Sequence, residues 1–156
     1  METPRPEARA LYEALYPTAA AVVAQGAQHA PMLIIADSTG RAITVYCLAE
    51  LDPEQRGRLL RTLAADCDRA TIYAYIDEAW ALDLTQGQTY SPDTRPLTHP
   101  DRVEVVIFTL FGRDWEASAY CPIRRPPSAA PHLEHAQLIE SISIGNLSPH
   151  RRTATP

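Results

Sequence analysis

VEVVIFTLFGRDWEASAYCPI, residues 103–123, is the stretch whose reading decides the fold. From Val105 to Phe111 it is apolar at both parities, the mark of a strand buried on both faces and so central in its sheet. Gly112-Arg113-Asp114 turns the chain. Trp115, Ala117, Ala119, Cys121 and Ile123 then alternate with Glu116, Ser118 and Tyr120, which predicts an antiparallel return strand. Upstream, TIYAYIDEAWALDL over Thr71–Leu84 predicts a long strand. Ile72, Ala74, Ile76, Trp80, Leu82 and Leu84 share one of its faces with Glu78, and Tyr73, Tyr75, Asp77 and Ala79 share the other. Gly87, Pro92, Pro96 and Pro100 make residues 86–100 a loop.

Further upstream, two β-branched runs, 31–36 and 42–48, flank Asp37-Ser38-Thr39-Gly40, a hairpin signal. Ala8, Leu11, Tyr12, Leu15, Ala19, Val22 and Val23 recur at helical spacing, with a kink expected at Pro17 and a stop at Gly26. Asp52-Pro53 opens a second helix whose apolar face is Leu59, Leu60, Leu63, Ala64 and Cys67. Downstream, residues 124–131 form a proline-rich linker, 132–141 read as weakly helical, and 142–147 as a short strand. The class is α+β: a mainly antiparallel sheet of about five strands with two helices on one face, in the order α-β-β-α-β-β-β followed by a C-terminal arm. The expected division is a single domain over 1–124, the arm over 125–147, packing on the domain or on a partner subunit, and a disordered tail over 148–156. Because the central strands are apolar on both faces, the second face is expected to be covered by the arm or by a second copy. This motivates a homodimer.

The chain has 156 residues, 46% hydrophobic and 21% charged, which suits one globular domain with its own core. All 14 basic residues are arginine, set against 19 acidic ones for a net charge of -5. With a pI of about 5.5 and no dense basic stripe, this argues against a nucleic-acid partner. Cys47, Cys67 and Cys121 form no C-x-x-C pair and read as small buried hydrophobes in a reducing compartment. No signal peptide or membrane-length apolar run is visible, so the expected location is cytoplasmic.

Asp77, Glu78, Asp83, Asp101 and Glu104 form the most informative polar set. Glu78 stands on an apolar strand face, where a carboxylate needs a partner or takes up a proton. Arg102 and Glu104 share a face of the next strand and could converge with it. Two readings stay open: a carboxylate–arginine network that fixes strand register, or catalytic carboxylates Glu78 and Glu104, with a divalent metal held by Asp77, Glu78, Asp101 and Glu104. His132-x-x-His135 lacks a placed third ligand and reads as two solvated imidazoles. G-x-S-x-G, P-loop and G-x-G-x-x-G patterns are absent. Trp80 and Trp115 read as packing residues, and Tyr73 and Tyr75 as candidates for a partner contact.

Asp77-Glu78-Ala79-Trp80, the proline-rich loop, and His99-Pro100-Asp101-Arg102-Val103-Glu104 together resemble a pattern in small bacterial and phage-borne proteins of unknown function. In those, a strand ends in EAW and hPdRxE opens the next strand. The upstream order of helix, D-x-x-G hairpin and leucine-bearing helix is similar, so the resemblance covers residues 8–124. Asp77 departs from the small residue usual at that place. The resemblance implies no activity; it treats Glu78, Trp80, Arg102 and Glu104 as one unit. Two-faced apolar strands, no complete catalytic motif and a polar tail set the expectation: a non-enzymatic interaction module without a cofactor. The alternative is a divalent-metal-dependent hydrolase or nuclease-like enzyme.

Overall fold

The computed structural model describes residues 3–82 and 99–142, with Ile142 described through its backbone alone. Helix α1 spans Pro6–Ala24, with Pro6 at its start and Pro17 inside it. It stops where Gly26 takes φ 75°, a left-handed conformation that glycine adopts without a Cβ clash. The hairpin follows as predicted: β1 (Met32–Asp37) and β2 (Ala42–Cys47) pair antiparallel. Its turn is held by Asp37, whose Oδ1 accepts from the Thr39 N–H, the Thr39 hydroxyl and the Arg41 N–H. Gly40 at φ 86° lies so close to the Glu7 carbonyl that a Cβ there would collide with it.

Helix α2 covers Pro53–Asp66. Asp52 and Gln55 close a capping box at its N-terminus, each side chain accepting from the other's backbone N–H. Strands β3 (Thr71–Leu82), β4 (Arg102–Gly112) and β5 (Trp115–Arg124) form two long antiparallel pairs. Residues 83–98 of the predicted strand end and loop lie outside the described residues, as do 143–156, which take in the tail and all but the first residue of the strand predicted over 142–147.

The sheet has seven strands, where about five were expected, in the order β2-β1-β3-β4-β5-β6. The additional two come from residues read as weakly helical. β6 (His132–Leu133) and β7 (Ile139–Ile142) both pair with the outer edge of β5, at its two ends. The described part of the arm therefore extends this chain's own sheet. Strands of two and four residues are too short to carry an alternation signal.

The helices do not share a face. Ile34, Ala36, Ile72, Ala74, Ile76, Val106, Phe108 and Leu110 form one core with Ala8, Leu11, Tyr12, Ala19 and Val23 of α1, joined by Leu133 and Leu138 of the arm. Leu33, Tyr75 and Phe111, of the opposite parity, form a second core with Leu60 of α2 and Leu48. Ile107, Thr109 and Ser118 on that second face are buried as well. The expectation of both helices on one face fails because β1, β3 and β4 are apolar at both parities. Either face could accept a helix, and α2 takes the one α1 leaves.

Candidate functional site

Antiparallel register places the motif. Glu78 lies opposite Val106, Trp80 opposite Glu104, and Leu82 opposite Arg102. Directly opposed residues share a face, so Glu78, Trp80, Arg102 and Glu104 all project to the α1 side of the β3–β4 hairpin. Glu78 and Glu104 are diagonal neighbours there.

Their partners differ from those expected. Glu104 accepts from Arg125 Nε at 2.8 Å and from Arg125 Nη2 at 2.9 Å, a two-toothed pair. Arg102, the expected partner, instead lies over the Trp80 ring, 4.6 Å from its centroid. Glu78 Oε1 accepts from the His29 backbone N–H at 2.6 Å, and His29 Nδ1 lies 2.7 Å from the Ala30 carbonyl. Sequence reading missed Arg125 and gave His29 no role. Strand parity held the signal for Arg125: it continues the Cys121, Ile123 parity onto the face that bears Glu104.

The two carboxyls are driven apart electrostatically. Burial pushes Glu78 above the usual carboxylate range; the nearby Glu104 charge adds to this, while the His29 N–H and Arg125 oppose it. Hydrogen bonding from Arg125 holds Glu104 below that range against the cost of its partial burial. One group is thus readier to hold a proton and the other stays charged. Such a division could serve acid–base chemistry. Here, however, both oxygens of Glu104 are committed to Arg125.

The four-carboxylate metal site does not assemble. Asp77 has the opposite parity to Glu78 and belongs to the α2 face. There its Oδ2 accepts from the Tyr75 hydroxyl at 2.7 Å and lies 3.8 Å from Arg56 Nη2. Asp101 is exposed before β4, its N–H donating to His99 Nδ1. Among the described residues no group of three or more histidine, cysteine, aspartate and glutamate side chains is placed to hold a metal. Asp83 lies outside the described residues.

Of the two tyrosines expected at a partner contact, Tyr75 is buried and Tyr73 half-buried. Tyr75 is buried in the α2 core, and Tyr73 stacks on Phe111 with ring centroids 5.2 Å apart. Trp115 is buried as expected. His132 and His135 lie in and after β6, not on a helix, and His135 approaches Glu13 at 3.3 Å. At the opposite end of the sheet, a polar recess of about 280 Å³ is lined by Arg5, Glu7, Ser38, Arg69, Arg113 and Asp114, among others. Arg5 is already committed to Glu140. Comparison with protein-family models, curated proteins and solved structures finds no match, so the reading of this chain rests on its own geometry.

Proposed function

We propose that the protein is a non-enzymatic interaction module that forms a homodimer. The observation that carries this reading is where apolar surface is left exposed. Ile43, Val45 and Tyr46, at 67%, 53% and 50% exposure, are three of the four large exposed hydrophobics among the described residues, and all lie on β2. Clustered apolar exposure of this kind marks an interaction surface. The carboxylates that would support an enzyme are engaged in Arg125, His29 and Tyr75 contacts that also serve to hold strands and helices in place. Of the four carboxylates on which the hydrolase reading draws, Asp77, Glu78, Asp101 and Glu104, only Glu78 and Glu104 share a face of the sheet.

Thermal unfolding of the full chain against magnesium, manganese, zinc and nucleotides, repeated over a range of protein concentrations, tests the reading. A ligand at one hundred times its dissociation constant adds about 2.7 kcal/mol, several degrees for a domain of this size. The expected result is a melting temperature that rises with protein concentration and is unmoved by metal. A metal-dependent rise that disappears in Glu78→Gln would overturn the reading in favour of the enzyme. No described helix is long and apolar enough to cross a membrane.

A further inference from the structure

Strand β2 ends the sheet, and its outer edge is unpaired among the described residues. Its hydrogen-bonding parity can be read from one contact. The Leu48 N–H donates to the Pro31 carbonyl at 2.8 Å, so this opposed pair is of the bonded type. Bonded and non-bonded pairs alternate along an antiparallel ladder. Tyr46 opposite Leu33, and Thr44 opposite Ile35, therefore also spend their backbone groups on β1. Val45 and Cys47 turn their N–H and C=O groups outward. The register slips between Ile35 and Ala36, leaving Ile43 as an extra residue in β2. The regular open ladder is thus Thr44–Leu48, and Tyr46 is its centre.

Most of the usual protections of an edge are missing from this ladder. Residues 42–49 contain no charge, no proline and no glycine. The run is bracketed by Arg41 on one side and Glu50 on the other. Antiparallel pairing of the strand with itself brings the Arg41 end of one copy to the Glu50 end of the other, whereas parallel pairing would bring like charges together. The bracket is therefore complementary to its own antiparallel image.

We infer that β2 pairs antiparallel with β2 of a second copy, about a two-fold axis at Tyr46, so that the two sheets become one. This inference rests on the homodimer reading and specifies its surface. In this register Val45 of each copy lies opposite Cys47 of the other, and their outward backbone groups bond across the axis. Tyr46 meets its own image at a non-bonded position, where cross-strand side chains come closest and aromatic pairs are favourable. Val45 and Cys47 of both copies make one apolar strip on the α1 side.

Two variants of the full chain test this. Val45→Pro removes an N–H that β1 does not use, so it leaves the internal ladder intact and blocks the edge. Tyr46→Cys in a Cys47→Ser background places two thiols across the axis, at a Cα separation near 4.5 Å that a disulfide can span. Sedimentation at micromolar concentration is expected to give a species of twice 17.2 kDa for the natural chain and a folded monomer for Val45→Pro. Mild oxidation is expected to cross-link the Tyr46→Cys variant and not the natural chain, whose Cys47 faces Val45. A natural chain that sediments as a monomer overturns both the homodimer and this surface. A dimer that survives Val45→Pro, or that fails to cross-link through Tyr46→Cys, overturns the surface and leaves the homodimer standing. If Val45→Pro does not fold, the cross-link decides alone.

Discussion

The two edges of the sheet are treated in opposite ways. At the β5 edge, β6 and β7 cover the ladder, and three side chains of the N-terminal segment latch them down. The Tyr12 hydroxyl donates to the Ala136 carbonyl at 2.7 Å, and that of Tyr16 to the Leu133 carbonyl at 2.6 Å. Arg5 donates to Glu140 from its backbone N–H and from Nε, both at 2.8 Å, while its guanidinium lies over Trp115. At the β2 edge nothing comparable is present among the described residues, and the side chains are apolar and exposed. An unpaired edge is a template for another strand, so an arrangement that covers one edge and leaves the other bare among the described residues would direct strand-to-strand association to the bare one.

The largest expected effect is at the covered edge. Leu138→Ala, which cuts a buried side chain of the arm, should cost about 2–4 kcal/mol in urea unfolding. It should also make the protein prone to association through β5. A loss under half that size would mean the arm is not part of the cooperative core. Tyr12→Phe keeps the ring but leaves the Ala136 carbonyl without its hydroxyl donor, and about 1–2 kcal/mol is expected. Hydrogen exchange should then rise in residues 132–142 more than in β1 and β2.

Glu140→Gln should cost about 1 kcal/mol at neutral pH. Burial acts to raise the Glu140 carboxyl, but the Arg5 bonds outweigh it and leave the group below the usual range. A lowered acid stabilises the fold above its unfolded-state value and loses that contribution as pH falls through the folded one. The difference between Glu140→Gln and the natural chain should accordingly vanish in acid. Glu78 has the opposite sign. Its raised value means that ionisation weakens the fold as pH rises from the unfolded to the folded value. Glu78→Gln should therefore be neutral or slightly stabilising at neutral pH, whereas Glu104→Gln, which loses the exposed Arg125 pair, should cost up to about 1 kcal/mol. Equal losses in both would show that Glu78 is held by a charge partner.

The smallest effect belongs to the bare edge. Ile43→Ala should change the stability of the dilute monomer by less than about 0.5 kcal/mol. A larger loss in chemical denaturation would mean that β2 is covered within one chain and that the contrast between the edges is false.

The hairpins, the stop of α1 and the start of α2 were legible because their signals are local. Alternation sets strand faces, Asp52-Pro53 and Gly26 punctuate the helices, and Asp37-Ser38-Thr39-Gly40 makes the turn. Glu78 and Trp80 were legible as sharing one face of their strand, and Arg102 and Glu104 one face of the next, since β-strand side chains repeat every second residue; the register then joined the two pairs on one side of the sheet. Their partners were not legible. The Glu104–Arg125 contact crosses the β4–β5 hairpin and turns on strand parity carried past the end of β5, whereas the neighbours of Glu78 turn on the alignment of β3 with β4, which the long loop before β4 leaves open.

By itself, then, the sequence determined the class, the two hairpins, the stop of α1, the start of α2, and the segregation of Asp77 from Glu78 by parity. Only the tertiary structure decided that α1 and α2 lie on opposite faces, that the arm closes the β5 edge, and that β2 is left open among the described residues. The physical reason is that a strand apolar at both parities is satisfied by cover from either side. The choice between sides, and between edges, is made by long-range packing of the whole chain rather than by any local preference.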